Sequence, residues 1–550
     1  MKKKVISIIV SMLLCFSCLF TVGCGEVSID ETKTQLYIGL RLGALGEDFL
    51  HEIGDMFEEE YKDVEFTPGK KGVEVIVQPG TSELKDEVLA ANAPVSGIDI
   101  YMVEDIAYTK VVSRNLAIDI TDIMTEKYDT CDLGDGVQTY SIVDKLSESE
   151  KNYFGVNSDG GTKYYSMHWW NPVHGIIYDV DLFNDYNLYF TQDGQIGGNL
   201  DDNPTELSAG IDGVSGTYDD GLPATWEEFK SLMDTMLDND ITPFTWDGSN
   251  LYQRYYFFES VWQAYEGLYN YSLNYTFDGV YNGKTITAEN GYELAGQQGK
   301  KAALTAISDI VSNKKNYSSK AFLSSQTNKS AQKEYLMSSY LNKPIAMLIE
   351  SSYWENEAQL YFNEMADTYG KQWGQHERRF GYMPIPRFIG TDGVDDQINE
   401  EYVVNTTNNS LIFGNAYSDK VDLIKAFIKF FFRNDTLSKF TSITGVTSSC
   451  KQKVSDTDYN KMTYYQQQNY HVMQNSVTAD KNILNVRYAT MHSTYLRYWS
   501  REIMCDGLYY KDLFKSIADS YQSGKPLTVD TLYNSYSEYY NAKSWGENFR

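Results

Sequence analysis

Residues 36–103 alternate between two hydrophobic periods, and this alternation limits the folds open to the chain more than any other feature. Leu36-Tyr37-Ile38-Gly39-Leu40 reads as a strand. Phe49, Leu50, Ile53, Met56, Phe57 and Tyr61 then recur at helical spacing and make one apolar face over 48–61. Val73-Glu74-Val75-Ile76-Val77 is a second strand, 82–91 a second helix, and Ile98 to Val103 a third strand. A β-α-β-α-β order predicts a parallel sheet covered by helices on both sides, because parallel strands need crossover helices.

The chain begins with Lys2, Lys3 and Lys4, followed by an apolar run from Val5 to Val22 that ends at Gly23-Cys24. A basic start, a short greasy core and a small residue make an export signal. The cysteine after the small residue resembles a bacterial lipoprotein signal, which implies lipidation at Cys24. Cleaved or retained as an anchor helix, the segment ties the protein to the outer side of a membrane. Lipid chains hold by burial at about 0.8 kcal/mol per CH₂. Later stretches are too short or too polar to span a bilayer. Gly25 to Lys33 is short and polar, and reads as a tether.

Some five hundred residues beyond the leader suggest more than one lobe. The formal charge is −29, or about −32 once the three leader lysines are gone. A body this acidic repels phosphate backbones, which argues against nucleic acid and against an anionic ligand without a local basic pocket. Tyr (45) far exceeds Phe (25), and Tyr pairs an apolar ring with a polar tip, suiting surfaces that hold polar ligands as well as lobe packing. Cys131, Cys450 and Cys505 allow at most one disulfide. Cys15 and Cys18 lie in the leader; beyond it no CxxC, close Cys/His cluster or HExxH spacing points to zinc, and no cofactor is required.

Residues 191–220 are rich in Gly, Asp, Asn and Ser and read as an inserted loop. Pro223, Thr225 and Glu228 then form a capping-box start, with Phe229, Leu232, Met233, Met236 and Leu237 as the apolar face of the helix that follows. Val421, Ile424, Phe427, Ile428 and Phe431 mark another helix over about 419–432. The last hundred residues read as helical and Tyr-rich.

Five segments in order resemble the sugar-binding group of extracellular solute-binding proteins of ABC importers (family 1 type). They are Asp99–Val103 with Leu116–Asp122; Tyr164–Met167 with Gly175–Asp179 and Asp181-Leu182-Phe183; Pro223–Phe229; Ala346-Met347 with Ser351-Ser352-Tyr353-Trp354; and Gly381–Pro386. The chain departs from the pattern at Met167, where proline is usual, in the 191–220 insertion and in a longer C-terminal region. The resemblance implies an α/β, two-lobe periplasmic-binding-protein-like fold of type II. Each lobe would be a mostly parallel sheet flanked by helices, with a helical C-terminal extension. It places the signal at 1–24, the tether at 25–35, lobe 1 at 36–167 and 401–449, and lobe 2 at 168–400 and 450–550. It also implies a monomer, anchored on the extracytoplasmic face of the cell membrane, that binds a carbohydrate without catalysis and serves ABC transporter permease subunits.

A sugar offers apolar C–H faces to aromatic plates and hydroxyls to in-plane polar groups. Trp169 and Trp170 sit at the expected crossing between lobes, Trp246 and Tyr252 in a turn, and Trp354 in the Ser-Ser-Tyr-Trp segment; these are the candidate plates. Trp226 is assigned to the core. Arg41, Glu104 and Glu350 are the candidate polar partners, with Asp105 beside Glu104, and Arg41 free to bond hydroxyls or pair with Glu104. Asp212, Asp219 and Asp220, spaced among glycines, form a candidate calcium site; an Asx-turn loop without metal is the other reading of the same residues. The alternative to a binder is a lipid-anchored glycoside hydrolase using two carboxylates such as Glu104 and Glu350. A peptide-binding lipoprotein, with a wider cleft and fewer stacked Trp, is a third reading.

Overall fold

A computed structural model describes residues 29–80, 84, 86–406, 410–484 and 502–548. The leader and Cys24 lie outside the described residues. Strand β1 (Thr34–Arg41) pairs in parallel with β2 (Val73–Gly80) on one side and β3 (Ile100–Val103) on the other. Ile38 stands between Val77 and Ile100. Helix α1 (Asp48–Glu60) covers the sheet with Phe49, Leu50, Ile53 and Phe57, and α2 (Asp86–Asn92) links β2 to β3. The expected β-α-β-α-β unit is therefore present. The strand Leu411–Gly414 closes the sheet antiparallel to β3, far along the chain from its neighbours.

The second sheet centres on β4 (His174–Asp179), buried along its whole length. Beyond it run α3 (Trp226–Asp238), β5 (Thr242–Thr245), α4 (Tyr252–Thr276), β6 (Ile345–Ser351), β7 (Phe380–Met383) and β8 (Val403–Thr406). The order is β5-β6-β4-β8 and then the strand Val477–Asp480, with β7 also on β4. The outer pairs are parallel, but β4 runs antiparallel to β6, β7 and β8. This sheet is thus more mixed than the expected mostly parallel one. The physical reason is that β4 enters directly from the first lobe instead of through a crossover helix.

Burial separates two bodies. One core joins Leu36 to Trp170 with Leu411 to Cys450. The others hold Val173 to Val404, the segments around Tyr465 and Ala479, and the C-terminal helices through Leu513, Phe514, Ile517, Leu532, Tyr536 and Trp545. The chain passes between them three times: between 170 and 173, between 404 and 411, and between 450 and 454. Two of these passages lie side by side, the Asn171 amide donating to the Thr447 carbonyl at 2.9 Å.

The Thr225 capping box forms as read. Thr225 Oγ1 accepts from the Glu228 amide at 3.3 Å, and the Glu228 carboxylate accepts from the Thr225 amide at 3.0 Å. Trp226 is buried against Phe388, ring to ring at 5.0 Å. The 191–220 segment is irregular but fastened: Arg379 donates to Asp181 and twice to Asp201, all at 2.7 Å. Cys131, Cys450 and Cys505 are free thiols. Among the described residues, no helix is long and apolar enough to cross a membrane.

Candidate functional site

A cavity of about 430 Å³ opens where the two bodies meet, within the size range of ligand pockets. The first lobe lines it with Leu42, Gly43 and Ala44 after β1, and with Glu104 and Asp105 after β3. Both loops follow the carboxyl ends of parallel strands, the usual place for a ligand in such a sheet. Trp170, Pro172, His174 and Ser410 contribute from the passages between lobes. The second lobe adds Tyr256 from α4, Lys329 from the first turn of the helix Asn328–Tyr340, and Tyr353 and Glu357 after β6.

The acidic wall is built tightly. A Cβ on Gly43 would meet Glu104 Oε1 at 2.7 Å, so glycine lets the backbone lie against that carboxylate. Burial pushes Glu104 up to about 7, opposed by Arg41 and reinforced by Asp105 and by Glu357. Asp105 holds a left-handed backbone (φ 60°), a conformation that costs most side chains energy and that Asp tolerates. Arg41 fastens it: Nη1 donates to the Glu104 carbonyl at 2.8 Å and to Asp105 Oδ2 at 2.7 Å. Of the two readings for Arg41, bonding hydroxyls or pairing with Glu104, the second is altered: the ion pair is with Asp105, and Glu104 is reached only at its carbonyl. The Glu357 carboxylate accepts from Asn328 Nδ2 at 3.1 Å and Gln332 Nε2 at 2.8 Å, and burial raises its pKa.

The aromatic wall comprises Trp170, Tyr353 and Tyr256. Trp170 meets Tyr353 edge to face at 5.5 Å. Tyr256 stacks on His174 at 3.9 Å. His174 is 3% exposed; its Nδ1 shares a hydrogen bond with Ser351 Oγ at 2.6 Å, while Nε2 has no hydrogen-bond partner among the described residues. Burial, helped by Lys481, pushes its pKa down to about 3, so the imidazole is neutral at ordinary pH. Lys481 donates to both oxygens of buried Glu259 at 2.7 Å and lies over the Tyr256 ring at 5.7 Å.

Of the expected plates and partners, Trp170 and Glu104 line the cavity. Arg41 stands just behind it. Tyr252 lies outside it, 59% exposed and parallel to Tyr256 at 6.3 Å. Trp169, 1% exposed, meets Trp170 at 5.9 Å on one side and stacks on Phe49 at 5.5 Å in the first lobe's core. Trp246 is buried among Tyr317, Phe322 and Phe514. Trp354 has no exposed surface and packs among Tyr335, Phe362, Phe380 and Tyr465. These three rings are core, contrary to their reading as ligand plates; each stabilises a lobe by burying a large apolar surface. Glu350 is buried off the cavity. It accepts from the Ser351 amide at 3.0 Å and from Gln253 Nε2, and burial holds its pKa well above the usual range. It therefore does not face Glu104 as a hydrolytic pair would.

The calcium candidates do not gather. Asp219 accepts from the amides of Ile211 (2.7 Å) and Asp212 (3.1 Å), Asp212 from Val214 (2.7 Å), and Asp220 from Gly216. Their oxygens serve loop amides, as in the Asx-turn reading. Among the described residues no group of three or more His, Cys, Asp or Glu is placed to hold a metal ion.

Sequence reading passed over His174, Tyr256, Lys329, Tyr353, Glu357 and Ser410. Two carried a usable signal. Tyr256 lies one helical turn from Tyr252, and Tyr353 adjoins Trp354 in the turn that leads from β6 into the helix Trp354–Glu357.

Solved structures with the same fold span nearly the whole chain. The apo form of RafE from Streptococcus pneumoniae aligns with a TM-score of 0.54 at 12% identity, over 94% of this chain and 100% of that one. A probable secreted solute-binding lipoprotein from Streptomyces coelicolor gives 0.53 at 12% identity, over 93% and 99%. RafE in complex with raffinose gives 0.50 at 12% identity, over 92% and 100%. No protein-family model matches the chain, and neither does any curated protein. At these identities the likeness establishes the fold: this chain shares the architecture of these solute-binding proteins.

Proposed function

We propose that this protein is a lipid-anchored, extracytoplasmic solute-binding protein that captures a carbohydrate between its lobes and delivers it to the permease of an ABC importer. One observation carries the reading. The interlobe cavity joins aromatic side chains (Trp170, Tyr256, Tyr353) to polar ones (Glu104, His174, Glu357), drawn from both lobes and the passage between them. Aromatic plates match the C–H faces of a sugar, and acceptors match its hydroxyls. Because the wall is split between two bodies, a ligand that touches both favours the closed arrangement by its differential contacts. The lipoprotein-like leader ending at Cys24 supports attachment outside the cytoplasm. The raffinose bound by RafE supports a saccharide as the guest class.

The reading needs no covalent chemistry, and with Glu350 away from the cavity the pair of acids considered for hydrolysis is not assembled. The test is a thermal-shift screen of the mature protein against a panel of mono- and oligosaccharides, with chromatography of the same mixtures. The expected outcome is a rise in Tm with one glycan class and no product. Hydrolysis of a glycan, or a flat response across the panel, overturns the proposal.

A further inference from the structure

The charges around the cavity do not balance, and the imbalance narrows the ligand. With Asp105 neutralised by its pairing to Arg41, Glu104 and Glu357 remain as lining acids against Lys329 as the lining cation among the described residues. Arg41 is committed to Asp105 and to the Glu104 carbonyl. His174 is neutral. The Glu104 carboxylate accepts no hydrogen bond from any described residue, although it is half-buried. Glu104 belongs to the first lobe and Glu357 to the second; both line the cavity, and the Glu357 charge adds to the burial that raises Glu104. Lys329 lies on the Glu357 side and favours that carboxylate's charge.

We infer that the cavity takes a saccharide bearing a protonated amine, with the ammonium seated between Glu104 and Glu357. The inference rests on the carbohydrate reading and specifies the class of sugar. Hydroxyls alone would satisfy the acceptors but leave two like charges facing each other when the lobes approach. An ammonium supplies three N–H donors and a positive charge to the same point, and charge-assisted hydrogen bonds are the stronger kind. It converts a repulsion that opposes closure into a bridge that holds the lobes together. His174 lines the same cavity on a ring fixed by Ser351 and Tyr256, and its Nε2 is buried without a hydrogen-bond partner among the described residues.

Calorimetry on the mature protein separates the possibilities. Three ligands of equal length are compared in low-salt buffer near neutral pH, where Glu104 is ionised to a substantial extent: β-1,4-glucosamine oligomers, their fully N-acetylated counterparts, and neutral gluco-oligosaccharides. Acetylation removes the charge while keeping the ring. The expected result is binding of the free amine form at least about tenfold tighter than the acetylated form, with the gap shrinking as salt is added. The ratio should fall toward one in Glu104→Gln and in Glu357→Gln, each checked for folding by circular dichroism. Equal or tighter binding of the acetylated or neutral oligomers overturns the amine assignment and leaves the carbohydrate reading standing. Failure of all three to bind, together with a flat response in the wider sugar panel, overturns both. The wild-type comparison carries the test even if a variant fails to fold.

Discussion

Tyr353 and Trp354 are adjacent, yet the fold gives them opposite tasks, and exchanging each for alanine separates them. Trp354 has no exposed surface and sits within 5.0–5.9 Å, centroid to centroid, of Phe380, Tyr465, Tyr335 and Phe362. A Trp of this kind buries about 150–250 Å², which at about 25 cal/mol per Å² is about 4–6 kcal/mol. Measured Trp→Ala losses in cores run about 3–5 kcal/mol, so Trp354→Ala should cost about 4 kcal/mol. With an m-value of about 3 kcal/mol/M for a body this large, the urea midpoint of the second lobe should drop by about 1 M. Tyr353 instead faces the cavity beside Trp170. Tyr353→Ala should leave the midpoint within a few tenths molar and weaken the ligand by about 1–3 kcal/mol, or about 5- to 150-fold. The assays are urea titration followed by far-UV circular dichroism, and calorimetry with the best ligand of the panel. If Trp354→Ala left the midpoint unchanged but abolished binding, or if Tyr353→Ala unfolded the lobe and spared affinity, the assignment of the two rings would be refuted.

Other measurements probe the buried acids and the insertion. Glu150, with its Oε2 accepting from the Ser147 amide and hydroxyl at 3.1 and 2.9 Å, is pushed by burial up to about 7. Its folded pKa exceeds its unfolded one, so the folded state holds the proton more tightly and stability falls as pH rises from about 4.5 to 7. Glu150→Gln keeps the capping box and should flatten that decline, with a gain of up to about 3 kcal/mol above neutral pH; an unchanged pH slope in urea titrations would count against the assignment. Because the oxygens of Asp212, Asp219 and Asp220 already serve loop amides, neither excess Ca²⁺ nor EDTA should move the Tm; a clear rise with calcium would show that the loop rearranges around a metal.

The first lobe was legible because its pattern is local. Alternating periods in 36–103 specify strands and helices through burial of one face, and three of the four strands of the sheet are close in the chain; only Leu411–Gly414 comes from far away. The Thr225–Glu228 cap was legible for the same reason: its hydrogen bonds span three residues. The leader, the acidic balance and the order of family-like segments likewise need no tertiary information.

Which rings face the ligand was not decided at that level. Trp169 and Trp170 carry the same sequence signal, and only the pass between lobes turns one toward Phe49 and the other toward Tyr353. His174 and Tyr256 meet at 3.9 Å from positions 82 residues apart, and Glu104 senses Glu357 only because the two lobes face one another. Local periodicity is written along the chain; a cavity shared by two bodies depends on how they are set against each other, which is fixed by long-range packing.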